Sequence, residues 1–131
     1  MKYKITITKE QMQIMVQALD WYSRLHMKQF RIPLDDILMF EPHESWKKVD
    51  KEKWQQGLNL LSQAWGFPSS NVSHGIHSPE IHQSARDSFA MQSTLRHELW
   101  KDNPKRSNMT VDSSDSFTGV TEMPKIEIER I

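Results

Sequence analysis

Thr8-Lys9-Glu10-Gln11 opens a run in which Met12, Met15, Val16, Leu19, Tyr22, His26 and Phe30 recur at steps of three or four. That spacing sets them on one side of a helix and leaves Gln13, Gln17, Asp20, Arg24 and Lys28 largely on the other. The four opening residues have the form of a capping box, in which the Thr8 hydroxyl and the Gln11 side chain satisfy amide N–H groups at the helix start. Whatever else the chain builds has to cover this apolar stripe, about five turns long.

Ahead of the helix, Tyr3, Ile5 and Ile7 alternate with Lys4 and Thr6, the period of a half-buried strand. The stretch Lys125-Ile126-Glu127-Ile128-Glu129-Arg130-Ile131 alternates in the same way. The two are expected to pair in a small sheet, an exposed strand of another subunit being the alternative partner. Pro33 stops the first helix and opens a short one through Leu34, Ile37 and Leu38. Glu41-Pro42-His43 reads as loop. Asp50 is placed to cap a further helix, with Trp54, Leu58, Leu61 and Trp65 on one face and Gly66 as the left-handed residue beyond its end. Ser78-Pro79-Glu80 combines an N-cap, a first-turn proline and an early acid, so a last helix is expected from there to about Lys101. Asn103-Pro104 breaks the chain, and in the polar stretch from Lys105 to Met123 only Met109 to Val111 suggests a strand. The expected fold is α+β: a few helices, the longest being the N-terminal one and one near residues 79–101, beside a small sheet of the N-terminal and C-terminal strands. Residues 1–104 are read as a helical core with its N-terminal strand, and 105–131 as a polar tail ending in a strand of the same domain.

A length of 131 residues suits one domain. Five Trp, five Phe, two Tyr and eight Met stand against a hydrophobic fraction of 37%, and the mean hydropathy is -0.70. The core is therefore modest, and some of the rings are expected to meet another copy of the chain in a homo-oligomer. The 17 basic and 17 acidic residues balance, so no global field draws the chain to nucleic acid or an anionic membrane, and nucleic acid ranks last among partners. The absence of cysteine removes disulfides, thiolate metal sites and cysteine nucleophiles together and suits a reducing cytoplasm. The opening MKYKITITKE lacks an apolar leader core, and no run approaches the ~18 apolar residues of a membrane span. A cytoplasmic protein with no membrane partner is expected.

The stretch from Asn71 to Arg86 is the best candidate site. A polar loop with Gly75 leads to the Ser78 helix start, whose free N–H groups and dipole favour an anion. His74, His77 and Ser78 lie on that approach, and His82 and Arg86 lie four residues apart on one helix face. Ser93, His97 and Trp100 continue the face, with Arg96 close by. Such a set holds a phosphate and stacks a base with no catalytic residue. Arg24, near the end of the first helix, is a further ligand candidate. The competing reading makes Gly75 a turn, Ser78 a cap and the cations solvated, the commoner use of such residues. His74, His77 and His82 match no zinc spacing, and Arg96-His97-Glu98-Leu99 lacks the second histidine of the helical zinc-protease motif. No metal and no cofactor are expected. Glycine phosphate loops, a nucleophile elbow and a Cys-His pair are absent from the sequence, and the adjacent Asp35 and Asp36 point apart on a helix, so no acid–base pair is read there.

The segments KITITKEQMQIMVQALDWYSRLHMKQF and NVSHGIHSPEIHQSARDSF, with the helix reaching RHELW, resemble a set of small proteins encoded by tailed bacteriophages. Lys28 stands where that set is expected to have glycine before Gln-Phe, and His74 stands where an aromatic precedes Gly-Ile. The resemblance implies a small viral protein made in a bacterial host cytoplasm, and brings no activity or functional residues with it. By analogy of context, the leading expectation is a non-catalytic protein that sequesters a small anionic ligand, a nucleotide immune signal such as a cyclic nucleotide, as a counter-defence sponge. The alternative is a protein–protein inhibitor or accessory factor acting on a host protein.

Overall fold

The computed structural model describes residues 1–40, 45–104 and 120–131. Among these residues the protein is all-helical, with α1 (Lys9–His26), α2 (Arg31–Phe40), α3 (Lys51–Ala64), α4 (Gln83–Trp100) and a short 3₁₀ turn at Ser45–Lys48. No strand occurs among the described residues, which overturns the α+β expectation and its small terminal sheet. Alternation specifies a strand where one face is buried and a neighbouring backbone accepts the ladder. Neither condition is met, since Tyr3 and Ile5 are 80% and 73% exposed. The expected loop at Glu41-Pro42-His43 and strand at Met109 to Val111 lie outside the described residues. No described helix is long and apolar enough to cross a membrane.

The chain forms two compact units, a terminal unit of Met1–Asp20 and Arg86–Ile131 and a central unit of Trp21–Ala85. In the terminal unit the capping box forms as the sequence requires. Gln11 N–H donates to Thr8 Oγ1 (3.2 Å), and Thr8 N–H donates to Gln11 Oε1 (2.8 Å). On α4 this unit buries Ser88, Gln92, Ser93 and Leu95. The Ser93 hydroxyl donates to the Phe89 carbonyl one turn back (3.0 Å), so this buried polar group is satisfied inside its own helix. The C-terminal segment is fixed by side chains. Val120 is buried, the Thr121 hydroxyl donates to Asp87 (2.6 Å), and Arg130 donates to the carboxylates of Glu98 and Asp102 and to the Glu98 carbonyl. Lys9, at the start of α1, pairs with Asp102 at 3.0 Å, and Lys4 with Glu129 at 3.5 Å.

In the central unit α1 ends at His26, four residues before Phe30. Lys28 takes the left-handed conformation (φ 62°). Its N–H donates to the Leu25 carbonyl (3.1 Å) and Gln29 N–H donates to Arg24 (2.9 Å), the two bonds of a Schellman closure. α2 then starts two residues ahead of Pro33, whose missing N–H falls among the groups a first turn leaves without helical partners. Asp50 caps α3 by accepting from Lys53 N–H (3.2 Å). Gly66 (φ 86°) closes α3 with a second Schellman pair, Gly66 N–H to Gln63 and Phe67 N–H to Ser62. The two helix ends meet where the Lys28 ammonium lies 3.9 Å from the Trp65 ring centroid. Met27, Ile81 and Ala85 form a small core with Ile76 against it. There the buried Ser23 hydroxyl donates to the Ala85 carbonyl (2.9 Å). Asp35 and Asp36 do point apart: Asp35 accepts from the indole N–H of Trp54 on α3 (2.7 Å) and Asp36 from that of Trp21 on α1 (3.0 Å).

Candidate functional site

The last helix starts at Gln83 and ends at Trp100, so the expected N-cap at Ser78, with Pro79 as first helical residue, is corrected by four residues. The Ser78 hydroxyl instead accepts from Glu80 N–H (3.3 Å), and Ser78 N–H donates to the Gly75 carbonyl (3.0 Å). These local bonds form a turn that competes with helix. The capping position falls to His82, whose Nδ1 accepts from Ser84 N–H (3.1 Å) and lies 2.7 Å from the Ser84 hydroxyl. A ring nitrogen that accepts a backbone N–H carries no proton, so the cap requires the Nε2–H tautomer of neutral His82.

His74 is built into the central unit. Its N–H donates to the Met27 carbonyl (3.0 Å), and its carbonyl accepts from Gln29 Nε2 (3.3 Å). Its ring meets Phe67 edge-on at 4.9 Å, with Glu80 3.5 Å from Nε2. Gln29 also accepts from Arg24 Nη1 (2.8 Å), so one amide links Arg24 to the His74 backbone. His77 is exposed. The ring of His82 lies 5.8 Å from that of His26, which in turn lies 4.6 Å from Tyr22. Burial first, then the positive charge of Lys28, hold His26 below the ordinary histidine range.

Arg86, Arg96 and Trp100 belong to the terminal unit, whereas Arg24, His74, His77, Ser78 and His82 belong to the central one. Arg86 and Arg96 are half-buried and partnered, and Trp100 stacks on His97 at 5.4 Å. Among the described residues, no three His, Cys, Asp or Glu side chains gather in a way that would hold a metal ion.

An open, mostly apolar groove of about 520 Å³ occurs elsewhere in the central unit. Leu34 of α2, Val49, and Trp54, Gly57, Leu58 and Leu61 of α3 line it, with Asp50 and Lys53 completing the lining. The stripe Trp54, Leu58, Leu61, Trp65 is legible in the sequence as one helix face. Burial separates its members, because Leu58 is buried while Leu61 and Trp65 remain 43% and 60% exposed. A Cβ added at Gly57 would meet no atom within 4 Å, so this wall is open to close approach. The Trp54 ring is held in place by its bond to Asp35. Sequence periodicity marks an apolar face and is silent on whether the protein covers it, so the groove is not legible in the sequence. No family model, curated protein or solved structure is similar to the chain.

Proposed function

We propose that this protein acts by non-catalytic binding of a protein segment, with the α2–α3 groove as its seat. The apolar groove carries this reading: its walls are set by buried Leu58 and bonded Trp54, while Leu61 in its lining and Trp65 further along the same face stay exposed. The sequestration of a small anionic ligand is less well supported. The helix start meant to meet a phosphate is displaced to Gln83, and His74, Ser78 and His82 are engaged with backbone groups of Met27, Glu80 and Ser84 respectively. The phage context implied by the resemblance fits a stoichiometric inhibitor of a host protein and belongs to the same proposal.

The test places a photo-crosslinking amino acid at Leu61, and separately at Gln56, an exposed α3 position outside the groove, in protein produced in bacterial cells. A discrete polypeptide adduct formed from position 61 and not from 56 is the expected result. Equal labelling at both positions, or none, overturns the proposal. Native mass spectrometry runs beside it, where a phosphate-containing molecule released at one or more copies per protein would restore the anionic-ligand reading.

A further inference from the structure

The C-terminal segment of the terminal unit is fastened by its side chains while its backbone is left unpaired. Thr121 ties one end to Asp87 of α4 (2.6 Å), and Arg130 ties the other to Glu98 and Asp102. Between these points Ile126 and Ile128 are half-buried, whereas Lys125, Glu127 and Glu129 are exposed, the alternation of a strand with one side against the protein. No backbone–backbone hydrogen bond involves residues 122–131 among the described residues. A fastened stretch with open N–H and C=O groups is a template for another strand. The N-terminal segment of the same unit is its chemical complement. Lys2 and Lys4 alternate there with Tyr3 and Ile5, all four are exposed, and residues 1–7 likewise make no backbone–backbone bond among the described residues.

We infer that residues 2–6 of one copy of this chain pair antiparallel with residues 125–129 of a second copy, and that the exchange is mutual. In the register that sets Lys2 opposite Glu129 and Lys4 opposite Glu127, Tyr3 meets Ile128 and Ile5 meets Ile126. Opposite charges then face each other on one side of the ribbon and apolar groups on the other. A slip of one residue sets Lys4 opposite an isoleucine, and a parallel arrangement that keeps two ion pairs sets Ile5 opposite Arg130. One chain cannot make this pairing with itself. The register leads the N-terminal segment toward Thr121, at the Asp87 end of α4, whereas Lys9 is held by Asp102 (3.0 Å), beyond the other end of that helix and about 20 Å away. Within one copy Lys4 reaches Glu129 (3.5 Å) by side chain alone. A second copy is free of that tether, and the fastening to α4 gives the ribbon the helix support that an isolated strand pair lacks. Mutual exchange yields two equivalent contacts related by a two-fold axis, which closes the assembly at two chains. None of these residues lines the α2–α3 groove, so the dimer and the protein seat are tested separately.

The chain has no cysteine, so introduced thiols report the register. Full-length Thr6→Cys and Lys125→Cys chains, whose substituted positions lie opposite each other, are mixed and mildly oxidised, and a disulfide-linked heterodimer is expected as the main product. A mixture of Lys2→Cys and Lys125→Cys, offset by four residues or about 13 Å along the ribbon, is expected to give roughly tenfold less. Sedimentation equilibrium is expected to show a wild-type dimer. Glu127→Lys with Glu129→Lys sets lysine against lysine and is expected to weaken that dimer by roughly tenfold or more. Adding Lys2→Glu and Lys4→Glu to the same chain is expected to restore it, with the circular dichroism spectrum constant throughout. A wild-type protein that stays monomeric overturns the inference and leaves the segment to a strand of another protein. A dimer indifferent to the charge reversal, a reversal that the swap does not rescue, or equal disulfide yields from the two mixtures overturns it as well.

Discussion

Lys28 and Gly66 do the same task at the ends of α1 and α3, and only one of them is a glycine. Both are left-handed, at φ 62° and 86°, where a Cβ adds strain of about 1 kcal/mol. No atom lies within 4 Å of a Cβ built at Gly66, so Gly66→Ala is expected to destabilise by about that amount through the backbone alone. At Lys28 two further effects oppose the relief a glycine would give. The ammonium over Trp65 contributes about 0.5–1 kcal/mol, and glycine adds a similar amount of unfolded-state entropy. Lys28→Gly is therefore expected to destabilise by no more than about 1 kcal/mol, and Lys28→Ala, which loses the ring contact and keeps the strain, is expected to be no more stable than Lys28→Gly. Urea denaturation of the three variants checks both statements, and a Lys28→Ala protein clearly more stable than Lys28→Gly would contradict them.

Helices were legible where a cap and a stripe agree. Thr8 with Gln11, Asp50 and Gly66 are local signals, and the structure satisfies each of them with the expected bond or angle. α4 is harder to read because four of its five buried positions are small or polar, Ala85, Ser88, Gln92 and Ser93 beside Leu95, so its periodicity is faint. Its start is obscured because Ser78 and Glu80 close a turn with the same chemistry that caps a helix. Alternation at the two termini marks two sides of the chain but records no partner, so it does not by itself make a strand. The candidate loop was found as a polar cluster, but sequence gives no account of which groups are used internally, and the Gln29 link between Arg24 and His74 is a tertiary event. At this scale the α3 cap is open to direct test. Asp50→Ala removes the acceptor for Lys53 N–H and is expected to cost about 1 kcal/mol. Asp50→Asn, which keeps an acceptor, is expected to recover most of the loss in thermal melts.

On the scale of the whole molecule, the C-terminal segment of the terminal unit is held by ion pairs with little buried apolar surface. Arg130 bonds Glu98 and Asp102, and Lys101 and Lys9 bond the same two acids. Hydrogen bonds from these cations, Lys101 first at Glu98 and Lys9 first at Asp102, hold both carboxyls below their ordinary values. A carboxyl lowered on folding contributes stability above its unfolded value, and that contribution is lost as pH falls through the folded one. Amide protection in residues 120–131, taken relative to the intrinsic exchange rate at each pH, is therefore expected to fall below about pH 4.5, the ordinary value for Glu98, and in high salt. Arg130→Ala is expected to show the fast exchange already at neutral pH, leaving α3 amides unchanged. Protection that ignores both acid and Arg130→Ala would show that the pairs do not anchor the segment. The neighbouring acids of α2 bear on a different property, tolerance to insertion and deletion. Asp35 and Asp36 hold tryptophans on two different helices, and adding or removing one residue within α2 rotates everything beyond it by about 100°. Any indel between Arg31 and Asp35 would turn both carboxylates from their indoles at once. The number of residues in this ten-residue helix is therefore fixed by two side chains that serve two other helices at once.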